Sequence, residues 1–197
     1  PDLDAHAQIS RKAATEGMVL LKNERDALPL AAGKKLAIFG NSAHDIIIGG
    51  TGSGDVHEAY SVALPEGLEN AGYATDKALS QAYAEHIKTA KARRPETNPF
   101  LAPPPLPELV PTAEQIDAAA TANDVGVITI GRNSGEFIDR KAKDDFYLTE
   151  AEQTLIRNVS TAFHKAGKPV VVVLNIGGVI ELASWRDQVD AILLAWQ

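Results

Sequence analysis

The stretch GRNSGEFIDRKAKDDFYL at residues 131–148 joins two segments with different hydrophobic patterns. Before it stands DVGVITIG (124–131), a short apolar run typical of a buried strand. After it comes TEAEQTLIRNVSTAFHKAG (149–167), which has the pattern of a helix. A strand, a long loop and a helix in this order indicate a parallel sheet, with the loop at the carboxyl end of a strand, where such sheets place ligand sites.

The loop 131–148 is dense in charge. Its ionisable side chains are Glu136, Asp139, Arg140, Lys141, Lys143, Asp144 and Asp145. A carboxylic acid with basic neighbours on a glycine-containing loop is a candidate for proton transfer. A solvated surface loop held by salt bridges explains the same composition. The residues alone leave both interpretations open.

Outward from this loop, helix and strand patterns alternate along the chain. We predict helices at 4–23, 61–72, 77–94, 112–123, 149–166 and 179–188, and strands at 34–40, 73–76, 124–131, 168–177 and 189–196. Thr112 and Gln115 are expected to form a capping box. This alternation predicts an α/β fold, a mostly parallel sheet flanked by helices on both faces in a three-layer α/β sandwich.

We expect residues 1–197 to form a single domain. It includes an N-terminal linker and helix at 1–33 and a proline-rich excursion at 95–111. Proline fixes the backbone and lacks an N–H donor, so this excursion is neither a helix nor a central strand. The chain begins PDLDAHAQISRKAA and stops directly after the apolar run AILLAW, so we expect it to be part of a longer protein.

Composition limits the function classes. The chain has 197 residues, a net charge of −7 and no cysteine, which excludes disulfides, thiol catalysis and cysteine-ligated metals. The acidic balance does not favour nucleic-acid binding. No apolar run is long enough for a membrane span, no signal peptide is visible, and the compartment stays open. The five histidines lack metal-ligand spacing, so we expect no metal and no cofactor.

A second glycine-containing loop, GGTGSGD (49–55), follows the strand at 34–40. The order strand, glycine loop, helix is that of phosphate-binding loops, but no lysine follows the last glycine and Asp55 would repel phosphate. Glycines such as Gly52 also let the backbone approach a neutral polar ligand closely, with Ser53 offering a hydroxyl and Asp55 a carboxylate. A tight turn without any ligand is the remaining alternative.

The loops at the carboxyl ends of the predicted strands are 40–55, 131–148 and 175–178. In a doubly wound sheet they lie along one edge and can converge on one ligand. We therefore expect Ser53, Asp55, Glu136 and Asp139 to be neighbours. Asn175 ends a strand at the same edge.

Several separate segments, in order, carry a resemblance to a known family. They are AATEGMVLLKNERDALPL (13–30), GGTGSGDV (49–56), SGEFIDRK (134–141), FYLTEAEQTLI (146–156) and VVVLNIGGVIELASW (171–185). Through nearly its whole length the chain resembles the second, C-terminal α/β-sandwich domain of glycoside hydrolase family 3 β-glucosidases, which follows a TIM-like barrel. No segment of the chain resembles the barrel's nucleophile-bearing loop.

The resemblance implies hydrolysis of terminal, non-reducing β-D-glycosyl residues with retention of configuration. It implies that an aspartate on the absent barrel domain is the nucleophile, and that Glu136, matched by SGE-x-x-DR, is the general acid/base. Ser53 matches a serine that contacts sugar, on a glycine loop that includes Gly52 and Asp55. The implied partners are a β-glucoside or related oligosaccharide and the barrel, with no nucleic acid and no membrane.

The chemistry of the residues agrees with this role. A retaining glycosidase needs two carboxyl groups roughly 5 Å apart, one of them protonated. Phe137 and Ile138 could give Glu136 apolar cover, whereas Asp139 and Arg140 are expected to form ion pairs that fix the loop. Trp185 and Trp196 are expected in core or interdomain packing, with a sugar subsite as the alternative.

Three function classes stay open on the sequence. The chain is one part of an enzyme that is inactive without its barrel, a non-catalytic carbohydrate-binding or interdomain structural module, or a nucleotide-binding α/β protein. A large exposed apolar face would favour the first class. Sugar affinity of the chain by itself would favour the second, and phosphate at the glycine loop is required by the third.

Overall fold

The structure is a computed structural model that describes residues 2–54, 57–95, 103–134, 136 and 139–196. In this part of the chain the strands are β1 Val19–Asn23, β2 Lys35–Phe39, β3 Ala74–Thr75, β4 Val125–Arg132, β5 Val170–Ile176 and β6 Ala191–Leu194. They form one sheet in the order β1-β6-β5-β4-β2-β3. The pairing is parallel except between β1 and β6. The prediction of a mostly parallel α/β sandwich is confirmed.

The helices of the same residues connect these strands. They are α1 Leu3–Gly17, α2 Asn41–His44, α3 Leu64–Asn70, α4 Lys77–Ala92, α5 Ala113–Ala122 and α6 Glu150–Lys165, with single 3₁₀ turns at Gly52–Gly54 and Arg186–Gln188 and a kinked π-helical turn at Ala142–Phe146. The capping box of Thr112 and Gln115 is present at the start of α5, as predicted. None of these helices combines the length and apolarity that crossing a membrane requires.

The core lies on both faces of the sheet because strand side chains alternate between faces. Ala37 and Phe39 of β2 point into the larger cluster, which includes Tyr83 of α4 and Phe163 of α6. Leu36 and Ile38 belong to the cluster on the other face. The central pair, β4 and β5, is in register from Gly126 opposite Val170 to Arg132 opposite Ile176. This pairing brings the loops that follow β4 and β5 out at the same edge.

The prediction of one helix over 4–23 is wrong. Helix α1 ends at Gly17, and Val19–Asn23 forms β1, an antiparallel edge strand beside β6. The apolar spacing through Leu20 and Leu21 fits a helix, but pairing with β6 satisfies the backbone of these residues and overrides it. The sheet is therefore mixed.

The prediction of a short helix at 179–188 is also wrong, since only the 3₁₀ turn Arg186–Gln188 forms there. The Glu181 side chain accepts hydrogen bonds from the backbone N–H and the hydroxyl of Ser184, at 2.8 and 2.6 Å, which makes a local turn. Trp185 is buried in the core and its indole donates to the Glu181 carbonyl, so it is a core residue. Trp196 is partly exposed and donates to the Gly17 carbonyl.

Candidate active site

Two loops from the carboxyl edge of the sheet meet at Ser53 and Glu136. The Ser53 hydroxyl donates a hydrogen bond to Glu136 Oε1 across 83 positions of sequence. The Glu136 backbone N–H donates to the carbonyl oxygen of Thr51 at 3.4 Å. Both side chains are exposed in this chain. The prediction that the glycine loop and the charged loop converge is confirmed for this pair.

Gly52 fits this contact tightly. Its backbone has φ +67°, a conformation that favours glycine, and a Cβ added there would lie 2.5 Å from Glu136 Oε2 and 2.8 Å from Glu136 Cβ. The absence of a side chain at Gly52 thus lets the Glu136 carboxyl lie against the glycine loop.

The other residues that the sequence singled out near the site are Asp55 and the residues 137–140. Asp55 lies outside the described residues, as do Phe137 and Ile138. Asp139 is exposed and forms no ion pair with any residue that the structure describes. Arg140 forms the expected ion pair, with Asp145.

The carboxylate of Asp145 forms hydrogen bonds within the charged loop, residues 131–148. Asp145 Oδ1 accepts from Arg140 Nε at 2.6 Å, and Oδ2 accepts from the Lys141 backbone N–H at 2.9 Å. Partial burial disfavours the charged form of Asp145, but these hydrogen bonds outweigh it and hold the pKa of this carboxyl below its usual value. The Asp145 carboxyl is therefore ionised at neutral pH.

Sequence reasoning missed Arg132, the buried residue at the end of β4. Its guanidinium donates to both carboxylate oxygens of Glu152, at 2.6 and 2.8 Å, and its Nε donates to the Asp145 carbonyl at 2.8 Å. Glu152 also accepts from the Thr149 backbone N–H, as the partner in the capping box of α6. The only sequence signal was the pattern Thr149-x-x-Glu152, which identifies the cap and not the ion pair.

Asn175 holds the segment just before the glycine loop. At the end of β5, its Oδ1 accepts from the Ile47 N–H at 2.8 Å, and its Nδ2 donates to the carbonyls of Ile47 and Trp196 at 2.9 and 2.8 Å. Its three bonds go to backbone groups, so its place at the site edge is that of an anchor for the loop that carries Ser53.

Glu108, in the proline-rich excursion, is a second residue that the sequence did not reveal. Its two carboxylate oxygens accept from the Asn41 N–H at 2.9 and 3.2 Å, while Asn41 Nδ2 donates to the Pro107 carbonyl at 2.8 Å. Burial raises the pKa of Glu108 to about 8, and the hydrogen bond from Asn41 opposes that shift. A partly buried acid with a raised pKa thus lies just beyond the end of β2.

The site has no metal-binding arrangement within the described ranges. No group of three or more His, Asp or Glu side chains is placed there to hold an ion. The side chains around Glu136 offer proton transfer and hydrogen bonding, the chemistry that acid/base catalysis on a polar ligand requires.

Known proteins resemble this chain through nearly its whole length. Residues 18–197 match the family described as Glycosyl hydrolase family 3 C-terminal domain. Beta-glucosidase A of Butyrivibrio fibrisolvens is 36% identical over 98% of this chain and 25% of its own length. The beta-glucosidase of Ruminococcus albus is 28% identical over 100% of this chain and 20% of its own length.

Solved structures give the same result. Beta-glucosidase 3B from Thermotoga neapolitana, in complex with alpha-D-glucose, superimposes with a TM-score of 0.94 at 45% identity and covers 100% of this chain and 28% of its own. A beta-glucosidase from Paenibacillus barengoltzii gives a TM-score of 0.86 at 28% identity, over 97% of this chain and 21% of its own. The chain spans about a quarter of the length of the relatives that it matches. It belongs to glycosyl hydrolase family 3 and corresponds to the C-terminal domain of that family.

Proposed function

We propose that this domain supplies the general acid/base, Glu136, to a retaining β-glucosidase-type enzyme that hydrolyses terminal, non-reducing β-D-glycosyl residues. The observation that carries the proposal is the contact between Glu136 and Ser53, which joins the charged loop to the glycine loop at the carboxyl edge of the sheet. Relatives along the whole chain are named beta-glucosidases, which supports the same reaction.

In this mechanism Glu136 protonates the glycosidic oxygen as the bond to the leaving group breaks. It then removes a proton from the water that hydrolyses the glycosyl–enzyme intermediate. Ser53 and Asp55 bind hydroxyl groups of the sugar. Gly52 has no side chain and so lets the sugar approach the backbone closely. The general acid of a retaining enzyme carries the proton that the leaving group takes, and Glu136 is exposed in this chain, where a substrate can reach it.

The nucleophile of the proposed mechanism lies outside this chain. The described contacts of Glu136 are to a hydroxyl and a backbone carbonyl, whereas a retaining enzyme needs a second carboxyl roughly 5 Å away. We assign that carboxyl to an aspartate on a TIM-like barrel in the same enzyme. The length of the relatives, about four times that of this chain, leaves room for such a domain.

An apolar surface at one end of the domain supports a second domain beside it. No residue of α1 is buried, and β1 is an edge strand. The exposed apolar side chains of these two elements and the residue between them are Leu3, Ile9, Met18, Val19, Leu20 and Leu21. Such a surface is typical of an interdomain contact. It favours a domain of a larger enzyme over an independent carbohydrate-binding module, and within that enzyme we treat residues 1–197 as a single domain.

The test is a leaving-group series with the full-length enzyme and its Glu136→Gln variant. For aryl β-glucosides with poor leaving groups, we expect kcat/KM to fall about 100-fold or more, because the proton donor is gone. Activated dinitrophenyl glucosides need no proton, so their glycosylation step is retained, and azide accelerates turnover of the variant. Glu150→Gln, an exposed glutamate at the start of α6, is the matched control.

Two results would contradict the proposal. Equal activity of Glu136→Gln and the parent on every glucoside would make Glu136 a structural residue of the loop. Glucose binding by the 197-residue chain alone, together with a full-length protein that hydrolyses no glycoside, would identify a carbohydrate-binding module.

A further inference from the structure

The guanidinium of Arg140 lies between two loops at the carboxyl edge of the sheet. Its Nε donates to Asp145 Oδ1 at 2.6 Å within the charged loop. Its Nη2 donates to the Val179 carbonyl at 3.0 Å, in the loop that follows β5. Its Nη1 lies against Gly178, where an added Cβ would be only 2.6 Å from that nitrogen. Arg140 therefore ties the charged loop to the end of β5.

The contacts of Arg140 continue into the core. Asp145, which binds Arg140 through its carboxylate, accepts from Arg132 Nε through its backbone carbonyl at 2.8 Å. Arg132 is held in turn by the buried carboxylate of Glu152. A continuous series of charged hydrogen bonds thus runs from the start of α6, through the end of β4, to the loop after β5. Charge-assisted bonds of this kind are stronger than neutral ones and fix orientation.

Glu136 is only four positions before Arg140 in the sequence. On its other side, Glu136 is bound to the glycine loop through Ser53 and the Thr51 carbonyl. Four residues of chain reach at most about 14 Å, so the position of Arg140 limits where the Glu136 carboxyl can go. The two attachments together restrict where this carboxyl can lie.

We propose that Arg140 is a positioning residue that holds the Glu136 carboxyl toward the leaving-group oxygen, and that Gly178 is the glycine that admits its guanidinium. The proposal rests on the proposed function of Glu136. Arg140 meets acceptors on two loops through two separate nitrogens of one rigid, planar guanidinium, whereas the three N–H groups of lysine all radiate from a single nitrogen on a flexible stem. A solvated surface pair would have no such geometry and would contribute little.

The test uses the full-length enzyme with Arg140→Met, Arg140→Lys and Gly178→Ala, measured over a series of aryl β-glucosides that differ in leaving-group acidity. Misplacement by about 1 Å can cost on the order of 100-fold in rate. We expect kcat/KM of Arg140→Met to fall roughly 10- to 100-fold for poor leaving groups and by less than about 3-fold for activated ones. Arg140→Lys and Gly178→Ala should show the same dependence with smaller losses.

The matched control is Lys143→Met on the same loop. The Lys143 side chain is almost fully exposed and its ion pair is with the adjacent Asp144 at 4.0 Å. This variant also removes one positive charge, and we expect its leaving-group dependence to equal that of the parent. A positioning role of Arg140 is supported only if the Arg140 variants differ from this control.

Each other result overturns the proposal in an identifiable way. A loss of equal size on all glucosides would show that Arg140 stabilises the domain without positioning the acid, and no loss would show a surface ion pair without function. Glu136→Gln, measured in the same series, distinguishes failure of this proposal from failure of the proposed acid/base role of Glu136. If Glu136→Gln shows the leaving-group dependence and the Arg140 variants do not, only the positioning role fails. If Glu136→Gln shows none, both proposals fail.

Discussion

Gly52 is the residue at which the candidate site is most closely packed. Alanine at this position places a Cβ 2.5 Å from Glu136 Oε2 and has to adopt φ +67°. We expect Gly52→Ala to displace the Glu136 carboxyl and to lower kcat/KM about 10- to 100-fold for poor leaving groups in the full-length enzyme. Gly54→Ala, on the same turn, meets no atom within 4 Å and should lose far less. Equal losses in the two variants would show that the contact with Glu136 is irrelevant.

At the same scale, the sequence predicts some site residues and hides others for a physical reason. Ser53 and Glu136 follow strands in a parallel sheet, so strand order alone brings them to one edge. Arg132 and Glu108 have no such signal, because their burial depends on partners that the fold brings from distant segments. From sequence alone, a charged residue in a strand or beside prolines is predicted to lie on the surface, because its partner is not known.

Helix α6 stabilises the elements around the site, because its N-terminus is linked by hydrogen bonds to the charged loop. Thr149 Oγ1 accepts from the Glu152 N–H at 3.2 Å, and Glu152 also binds Arg132. Thr149→Ala should lower the free energy of unfolding of the 197-residue chain by about 1 kcal/mol, because the cap is lost. A further loss is expected because Glu152 is then held less firmly for its ion pair with Arg132. Thr112→Ala removes the equivalent cap of α5, which has no such ion pair. Urea unfolding of both variants measures the difference, and an equal effect at the two caps would contradict the coupling.

Several elements whose pattern is local were predicted well, whereas strand β1, which depends on a distant partner, was not. The β-branched run of β5 and the capping box of α5 are encoded in neighbouring residues. Strand β1 has apolar residues at a spacing that also suits a helix, and its strand state comes from pairing with β6 near the other end of the chain. Pairing of that kind leaves no trace in a local window of sequence.

At the scale of the whole molecule, Glu108 links elements from across the sheet. Its carboxylate oxygens bind the N–H of Asn41 at the end of β2, and the adjacent Leu109 carbonyl accepts from the Tyr83 hydroxyl of α4 at 3.3 Å. The charges of Arg132 in β4 and Glu152 in α6 also act on its carboxyl. The protonation state of Glu108 is therefore coupled to the packing of several elements at once.

Burial raises the pKa of Glu108 from an ordinary 4.5 to about 8 in the folded chain. Between these values the folded state holds a proton that the unfolded state releases. The contribution of Glu108 to stability is therefore complete below pH 4.5 and is lost as pH rises toward 8, at up to about 1.4 kcal/mol per pH unit. The partly buried His44 and the more exposed His164 have pKa values lowered by desolvation and act in the opposite direction, since their contributions are lost as pH falls below 6.5.

Glu108→Gln separates these effects because the histidines are common to both proteins. The amide keeps an acceptor for the Asn41 N–H and has no proton to exchange. The free energy of unfolding of both proteins is measured by urea titration from pH 5 to pH 8. We expect the value for Glu108→Gln minus the value for the parent to increase steadily with pH. Glu114→Gln is the control, since the pKa of exposed Glu114 is lowered and its titration is centred below this range. A constant difference between parent and Glu108→Gln across the range would mean that Glu108 is ionised in the fold, with the Asn41 N–H and Arg132 compensating for its burial.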